Sequence, residues 1–275
     1  MGAFSTNILG VLSSESFLSS NESICIVGVG DDGVDGLTAS TVDIIKQAEV
    51  LIGPGRFTES FQSNVGEAWD PGSDYEALLV RLDSIANQKI VVLAAGDPLF
   101  YGTARFLCDR LGKSRIRVIP NVSTMQLAFA RVKENWDEAY LTDLGNQTIE
   151  HVVQKIRSTE RVGVFTNSES TPAALATALL AARIDYFTAY VCENLGSPDE
   201  RVTSGTLEEV AAQSFAPLNV MILVRRASAP DRPTEMIGKR LFGNPDEMFL
   251  QTRPKRGLLT PSQIRCLALA DLNLG

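Results

Sequence analysis

Two glycine turns carry the residue types and spacing in this chain that lend themselves to chemistry. The first, ICIVGVGDDGVDGLTAS over residues 24–40, holds Gly28, Gly30 and Gly33 in a G-x-G-x-x-G pattern. A strand-to-helix turn of that pattern cradles a pyrophosphate. The second, VVLAAGDPLFYGTARFL over residues 91–107, sets Gly96-Asp97-Pro98 between an apolar run and a helical stretch. Gly96 lets a ligand approach the backbone closely, and Pro98 stiffens the loop. Asp97 either faces a cation or caps the following helix through its side chain. Other chemistries lack their residues. Cys25, Cys108, Cys192 and Cys266 stand far apart with no metal-ligand spacing, so they read as reduced thiols and no metal site is expected. The single histidine, His151, lies in a polar helical stretch, which removes a His-based triad and puts that side chain at the surface.

The first turn argues against a dinucleotide. In a dinucleotide-binding turn the helix opens inside the glycine motif, so that its amides and dipole meet the pyrophosphate. Here the best helix cap, Thr38, lies five residues past Gly33, and Asp31, Asp32 and Asp35 crowd the turn. Each carboxylate repels a diphosphate. The next apolar run ends in Ile52-Gly53-Pro54 rather than in the acid that would hold a ribose. A tight surface β-to-α connection is the plainer reading of these glycines.

The elements that must position the turns follow from short β-branched runs alternating with helical stretches, which predict α/β units around mostly parallel sheets. Strands are expected at Ile24–Gly28, Val50–Ile52, Ile90–Ala95 and Ile116–Ile119, with helices from Thr38 to about Ala48, over Tyr75–Asn87 and over Tyr101–Leu111. After a break near Pro120 a second set begins. Helices are expected at Thr124–Val132, Pro172–Ala182 and Leu207–Gln213, and strands at Ala139–Leu141, Val162–Thr166, Tyr186–Glu193 and Val220–Val224. Beyond Arg226 the chain turns Pro-rich and polar, a linker, before a new helix opens at Thr260-Pro261.

With 275 residues the chain is long enough for two modest cores. Its net charge of −8 excludes a long nucleic-acid footprint or an anionic membrane surface as partner. No apolar run approaches the roughly 20 residues of a membrane span. The absence of Lys or Arg before Lys46 fits neither a secretory nor an organellar leader. Residues 1–22, rich in Ser and Asn, read as a loose leader, and a cytoplasmic location is expected.

Gly28–Thr38, Gly96-Asp97-Pro98 with Tyr101, PNVSTMQLAFAR (120–131) and YVCENLGSPDE (190–200) occur in an order and spacing that resembles the tetrapyrrole (corrin/porphyrin) methylase family. Within it the likeness is to the carbon-5-methylating part of the precorrin-6Y C(5,15)-methyltransferase type, over residues 23–226. The resemblance implies two α/β subdomains, 23–120 and 121–226, with a ligand cleft between them. It also implies S-adenosylmethionine as donor, S-adenosylhomocysteine as product, and carbon 5 of a precorrin in cobalamin biosynthesis as acceptor. Gly96, Asp97, Pro98, Leu99 and Tyr101 would then meet the donor's methionine end chiefly through backbone groups. Ser123 and Thr124 would hold its carboxylate, and Thr166, Tyr190 and Met221 its adenine. Gly30 and the cations Arg56, Arg105 and Arg131 would receive a polycarboxylate macrocycle, while Asp31, Asp32 or Asp35 takes the proton lost or merely shapes the loop. A homodimer is implied as well. The segment PKRGLLTPSQIRCLALADL resembles the join to a carbon-15 methylating, decarboxylating domain, so residues 227–275 are expected to lead from a linker into that domain. The chain departs from the family at Leu144-Gly145-Asn146, where His-Gly-Arg is usual, at Asn121 and Thr124, and at Asp31-Asp32, where Pro-Gly is common. Methylation at another ring position, of rRNA ribose or of a protein histidine, and a non-catalytic precorrin-binding role, remain as alternatives.

Overall fold

The computed structural model describes residues 23–72, 74–85, 87–227, 246–249 and 259–272. The expected leader and most of the expected linker lie outside these. The chain divides into two units between Val122 and Ser123.

The first unit is built on β1 (Ile24–Val29), α1 (Ala39–Lys46), β2 (Val50–Ile52), α2 (Gly55–Thr58), β3 (Glu67–Trp69), α3 (Tyr75–Ser84), β4 (Ile90–Ala95), α4 (Thr103–Leu111) and β5 (Ile116–Ile119). Its sheet has the order β3-β2-β4-β1-β5 and every pairing is parallel. Such a sheet is covered on both faces, and this explains why ICIV and IVVL are apolar without alternation. On one face Cys25, Val27, Leu51 and Val91 pack against Ile45 of α1 and Phe57 of α2. On the other, Ile24, Ile26, Val92 and Ala94 meet Leu78 and Leu82 of α3 and Ala104 and Leu107 of α4. Each large aliphatic side chain buried this way contributes about 1.5–3 kcal/mol relative to exposure.

The connections place the ligand edge. β1 leads through α1, on one face, to β2, while its neighbour β4 leads through α4, on the other face, to β5. Two adjacent parallel strands whose continuations part to opposite faces leave a crevice at their carboxyl ends, the place where open α/β sheets take ligands.

The second unit holds α5 (Thr124–Val132), β6 (Tyr140–Asp143), α6 (Ile149–Ile156), β7 (Arg161–Phe165), α7 (Pro172–Ala181), β8 (Phe187–Glu193), β9 (Arg201–Gly205), α8 (Leu207–Ala211), β10 (Asn219–Arg225) and α9 (Ser262–Asp271). Its order is β6-β7-β10-β8-β9. Only β6 and β7 run parallel; the other pairings are antiparallel. The expectation of mostly parallel sheets therefore holds for the first unit and fails here. β8 returns to β9 through a short loop, and β10 inserts antiparallel between β7 and β8. Val164, Val191, Met221 and Leu223 face the core formed with α6, α7 and α8. On the other face a Cβ at Gly163 would meet Met125 and Phe129 of α5, so only glycine lets that helix lie so close. No helix among the described residues is long and apolar enough to cross a membrane.

Candidate functional site

The loops after β1, β4 and β5 are sewn together by backbone. Gly96 N donates to Val29 O at 2.8 Å, and Asn121 N donates to Gly96 O at 3.2 Å. A Cβ on Gly28 would overlap the Gly96 carbonyl oxygen and lie 2.7 Å from Asn121 N. Gly28 thus serves close approach between loops rather than a diphosphate. Gly30 and Gly36 leave room for the Asp32 carboxylate, which folds back into the space a Cβ would fill. A 3-10 turn over Gly33–Gly36 follows, and α1 opens only at Ala39, with Thr38 Oγ1 accepting from Thr41 N at 3.2 Å.

β4 is buried until Ala95, which opens to solvent. The loop beyond it bends through left-handed conformations at Gly96 (φ +55°) and Tyr101 (φ +54°). Tyr101 has a Cβ, and a left-handed residue of that kind carries about 1–2 kcal/mol of strain. Asp97 Oδ1 accepts from Leu99 N at 2.9 Å and Asp97 O from Phe100 N at 3.0 Å. The Asx reading of Asp97 is therefore the local one. The amides of Gly96 and Leu99, expected to meet a ligand, are engaged in the loop's own bonds. What the loop presents instead is apolar surface, with Leu99 56% and Tyr101 45% exposed, beside Val122 at 50%. Pro98 is buried beneath it. On α2, just after β2, Arg56 lies 4.5 Å over the Phe57 ring and 3.4 Å from Asp31 Oδ1. Asp35 is exposed, and Arg105 is exposed on α4 with no ion pair among the described residues.

In the second unit Ser123 caps α5 in a reciprocal box with Gln126: Ser123 Oγ accepts from Gln126 N at 3.2 Å, and Ser123 N donates to Gln126 Oε1 at 2.9 Å. Thr124 is half-buried behind it. Three of the expected site residues have partners or packing within this unit. Met221 is fully buried among core side chains. Strand neighbours alternate faces, and in the β8–β10 register Met221 pairs with Val191 while Tyr190 pairs with Ile222, so Met221 and Tyr190 cannot line one surface. Thr166 spends its hydroxyl on Asn219 Oδ1 at 2.5 Å. Arg131 is gripped by both oxygens of Glu200, which also accepts from Gly196 N at 2.9 Å. That guanidinium fastens the β8–β9 loop to α5 and is not a free cation for a substrate. Arg131 holds the Glu200 carboxyl below the usual carboxylate range through its hydrogen bonds. Glu193, buried in the same CENLGSPDE stretch, accepts from Arg201 at 2.6 and 2.8 Å and from Ala216 N at 2.8 Å. Leu144 is core, while Gly145 and Asn146 close a tight turn on Asp143. His151 is exposed. Among the described residues no His, Cys, Asp and Glu cluster could hold a metal.

A family model, tetrapyrrole (corrin/porphyrin) methylases, matches residues 23–211. The chain belongs to this family. Relatives of this tetrapyrrole methylase include a Sinorhizobium precorrin-6Y C(5,15)-methyltransferase [decarboxylating], 28% identical over 90% of this chain and 59% of its own length. A cobalt-precorrin-7 C(5)-methyltransferase of Salmonella typhimurium is 28% identical over 65% of this chain and 88% of its own. The chain thus spans under two thirds of the first relative's length. Among solved structures, the precorrin-6Y methylase of Archaeoglobus fulgidus matches with a TM-score of 0.56 at 20% identity, over 77% of this chain and 99% of that one. The uroporphyrin-III C-methyl transferase of Thermus thermophilus, in complex with S-adenyl homocysteine, matches with a TM-score of 0.58 at 19% identity, over 73% of this chain and 96% of that one. Both support the α/β tetrapyrrole methylase fold. The sequence had no signal for Asp70, whose carboxylate bonds Gly55 N at 3.0 Å and Gly72 N at 2.8 Å: its partners lie in two different loops.

Proposed function

We propose that this tetrapyrrole methylase transfers a methyl group from S-adenosylmethionine to carbon 5 of a precorrin-type macrocycle. The observation that carries the reading is the carboxyl edge of the first unit. There β1 and β4 part to opposite faces, and a strained loop presents Leu99 and Tyr101 beside exposed Val122. Carbon 5 is favoured because the Sinorhizobium and Salmonella relatives are both named for it.

The residues fit such a donor. Bound there, S-adenosylmethionine supplies an electrophilic methyl on a sulfonium. Leu99 and Tyr101 give the apolar walls that exclude water, and the second oxygen of Asp97 is left over from the Leu99 bond to accept from an ammonium. In the second unit the Ser123 cap fixes where α5 begins, with Thr124 at its first position. Gly30, Arg56 and Arg105 receive the macrocycle and its carboxylates, and Asp35 takes the proton released at the ring carbon. The protein's contribution is positioning, because an electron-rich ring carbon attacks the methyl without a covalent intermediate. We extend the proposal to a homodimer and to a carbon-15 methylating partner domain, supported by the double activity in the Sinorhizobium relative's name.

Incubation with methyl-labelled S-adenosylmethionine and a precorrin mixture, followed by location of the label on the ring, tests the reading. Label on carbon 5 supports it, and label elsewhere moves the position. Titration calorimetry with no heat from the donor would overturn it in favour of a substrate carrier.

A further inference from the structure

The five loops that leave the carboxyl ends of β1–β5 hold six aspartates (Asp31, Asp32, Asp35, Asp70, Asp74 and Asp97) and no Lys or Arg, while Arg56 stands just past the loop after β2, on α2. Arg56 shares with Arg105 of α4 the task of meeting a polycarboxylate at this edge, so the orientation of Arg56 bears on how the polycarboxylate sits. Arg56 occupies the second position of α2, a four-residue helix that starts after Pro54 and receives no side-chain cap from it. Proline offers no side-chain acceptor, and the first amide of a helix has no carbonyl partner within it. Asp70 supplies the missing acceptor: one carboxylate oxygen takes Gly55 N at 3.0 Å, the other Gly72 N at 2.8 Å. Gly53 N in addition donates to Trp69 O at 3.0 Å. The end of β3 thereby sets the start of α2. Beyond that anchor, Arg56 rests on Phe57 and touches Asp31 at 3.4 Å, with 44% of its side chain exposed. A charge-assisted contact of full strength is about 2.7–2.9 Å, so Asp31 is an exchangeable partner that an arriving carboxylate replaces.

We infer that Asp70 is a positioning residue for the tetrapyrrole: through Gly55 it aims Arg56, and Arg56 exchanges Asp31 for a substrate carboxylate. This rests on the function proposed above. The test is a double-mutant cycle of Asp70→Ala and Arg56→Ala, with Asp70→Asn as the conservative variant. Binding of a porphyrin octacarboxylate is followed by fluorescence, and donor binding by calorimetry. Arg56→Ala is expected to weaken porphyrin binding about tenfold or more, and Asp70→Ala by a comparable factor. The double variant is expected to be no weaker than Arg56→Ala alone, because Asp70 acts only through Arg56. Asp70→Asn keeps one acceptor and should fall between wild type and Asp70→Ala. Donor affinity stays within about twofold throughout. Additive losses, equal loss of donor binding, or an Asp70→Ala variant indistinguishable from wild type would overturn the inference. A wild-type protein that binds no donor overturns the underlying function instead, and the two failures are thus separable.

Discussion

Gly28→Ala is the substitution on which the geometry speaks most sharply. The new methyl would overlap the carbonyl oxygen of Gly96 and stand 2.7 Å from Asn121 N and 3.1 Å from Gly96 C. Carbon contacts settle at about 3.5 Å or more, so the loops after β4 and β5 must retreat from β1 by roughly an ångström. All three atoms are backbone, and none can rotate away as a side chain would. The retreat also stretches the Asn121–Gly96 and Gly96–Val29 bonds that tie the crevice. Overpacking of this kind costs about 1–3 kcal/mol, and a weakened pair of bonds adds about 1 kcal/mol. We therefore expect about 3 kcal/mol of destabilisation. Gly30→Ala is the control. Its methyl meets only the end of the Asp32 side chain, which can swing out, so under about 1 kcal/mol is expected. The assay is urea unfolding in a Trp136→Phe background, where Trp69 reports the first unit. With a slope of about 1–3 kcal/mol/M, the Gly28→Ala midpoint should fall by about 1 M or more. The variant should also bind S-adenosylmethionine at least tenfold more weakly. If Gly28→Ala unfolded at the wild-type midpoint and bound the donor normally, the tight joining of the three loops would be refuted.

Further outcomes follow from the second unit and from the strained loop. The Glu200 carboxyl is held below its ordinary value of 4.5 by Arg131, and a depressed carboxylate contributes stability above its unfolded pKa that is lost as pH falls through the folded value. The stability gap between wild type and Glu200→Gln should therefore be about 0.5–1 kcal/mol at pH 7 and should shrink below pH 4.5 in acid-dependent urea curves. For Glu193, burial pushes the carboxyl up, but bonds from Arg201 and Ala216 N outweigh it. Glu193→Ala strands the Ala216 amide and should cost about 2 kcal/mol, measured by thermal unfolding. Burial pushes the Cys192 thiol up to about 12, so N-ethylmaleimide at pH 8 should leave Cys192 unlabelled in the native protein and label it only after unfolding, as read by peptide mass. Tyr101→Gly removes left-handed strain of about 1–2 kcal/mol and an apolar wall, so thermal stability should hold or rise while donor affinity falls.

The sequence by itself determined what is local. Helix starts were legible at hydroxyl caps such as Thr38 and Ser123, and Thr124–Val132 begins and ends where its pattern does, whereas α6, capped by Thr148, was not among the expected helices. The apolar runs of β1, β2 and β4 marked buried strands, and the glycines marked places where backbone must come close. Tertiary structure alone decided the rest. The three residues Glu67–Trp69 have no strand pattern and become β3 only by pairing with β2. The exposed β9 likewise exists through β8. Met221 sits in NVMILVR, apolar on both faces, so its alternation could not reveal which side the helices cover. Arg131 and Glu200 lie 69 residues apart, and Asp70 and Gly55 lie 15 apart. A charge written in the sequence has no direction until the chain brings its partner, as Glu200 does for Arg131.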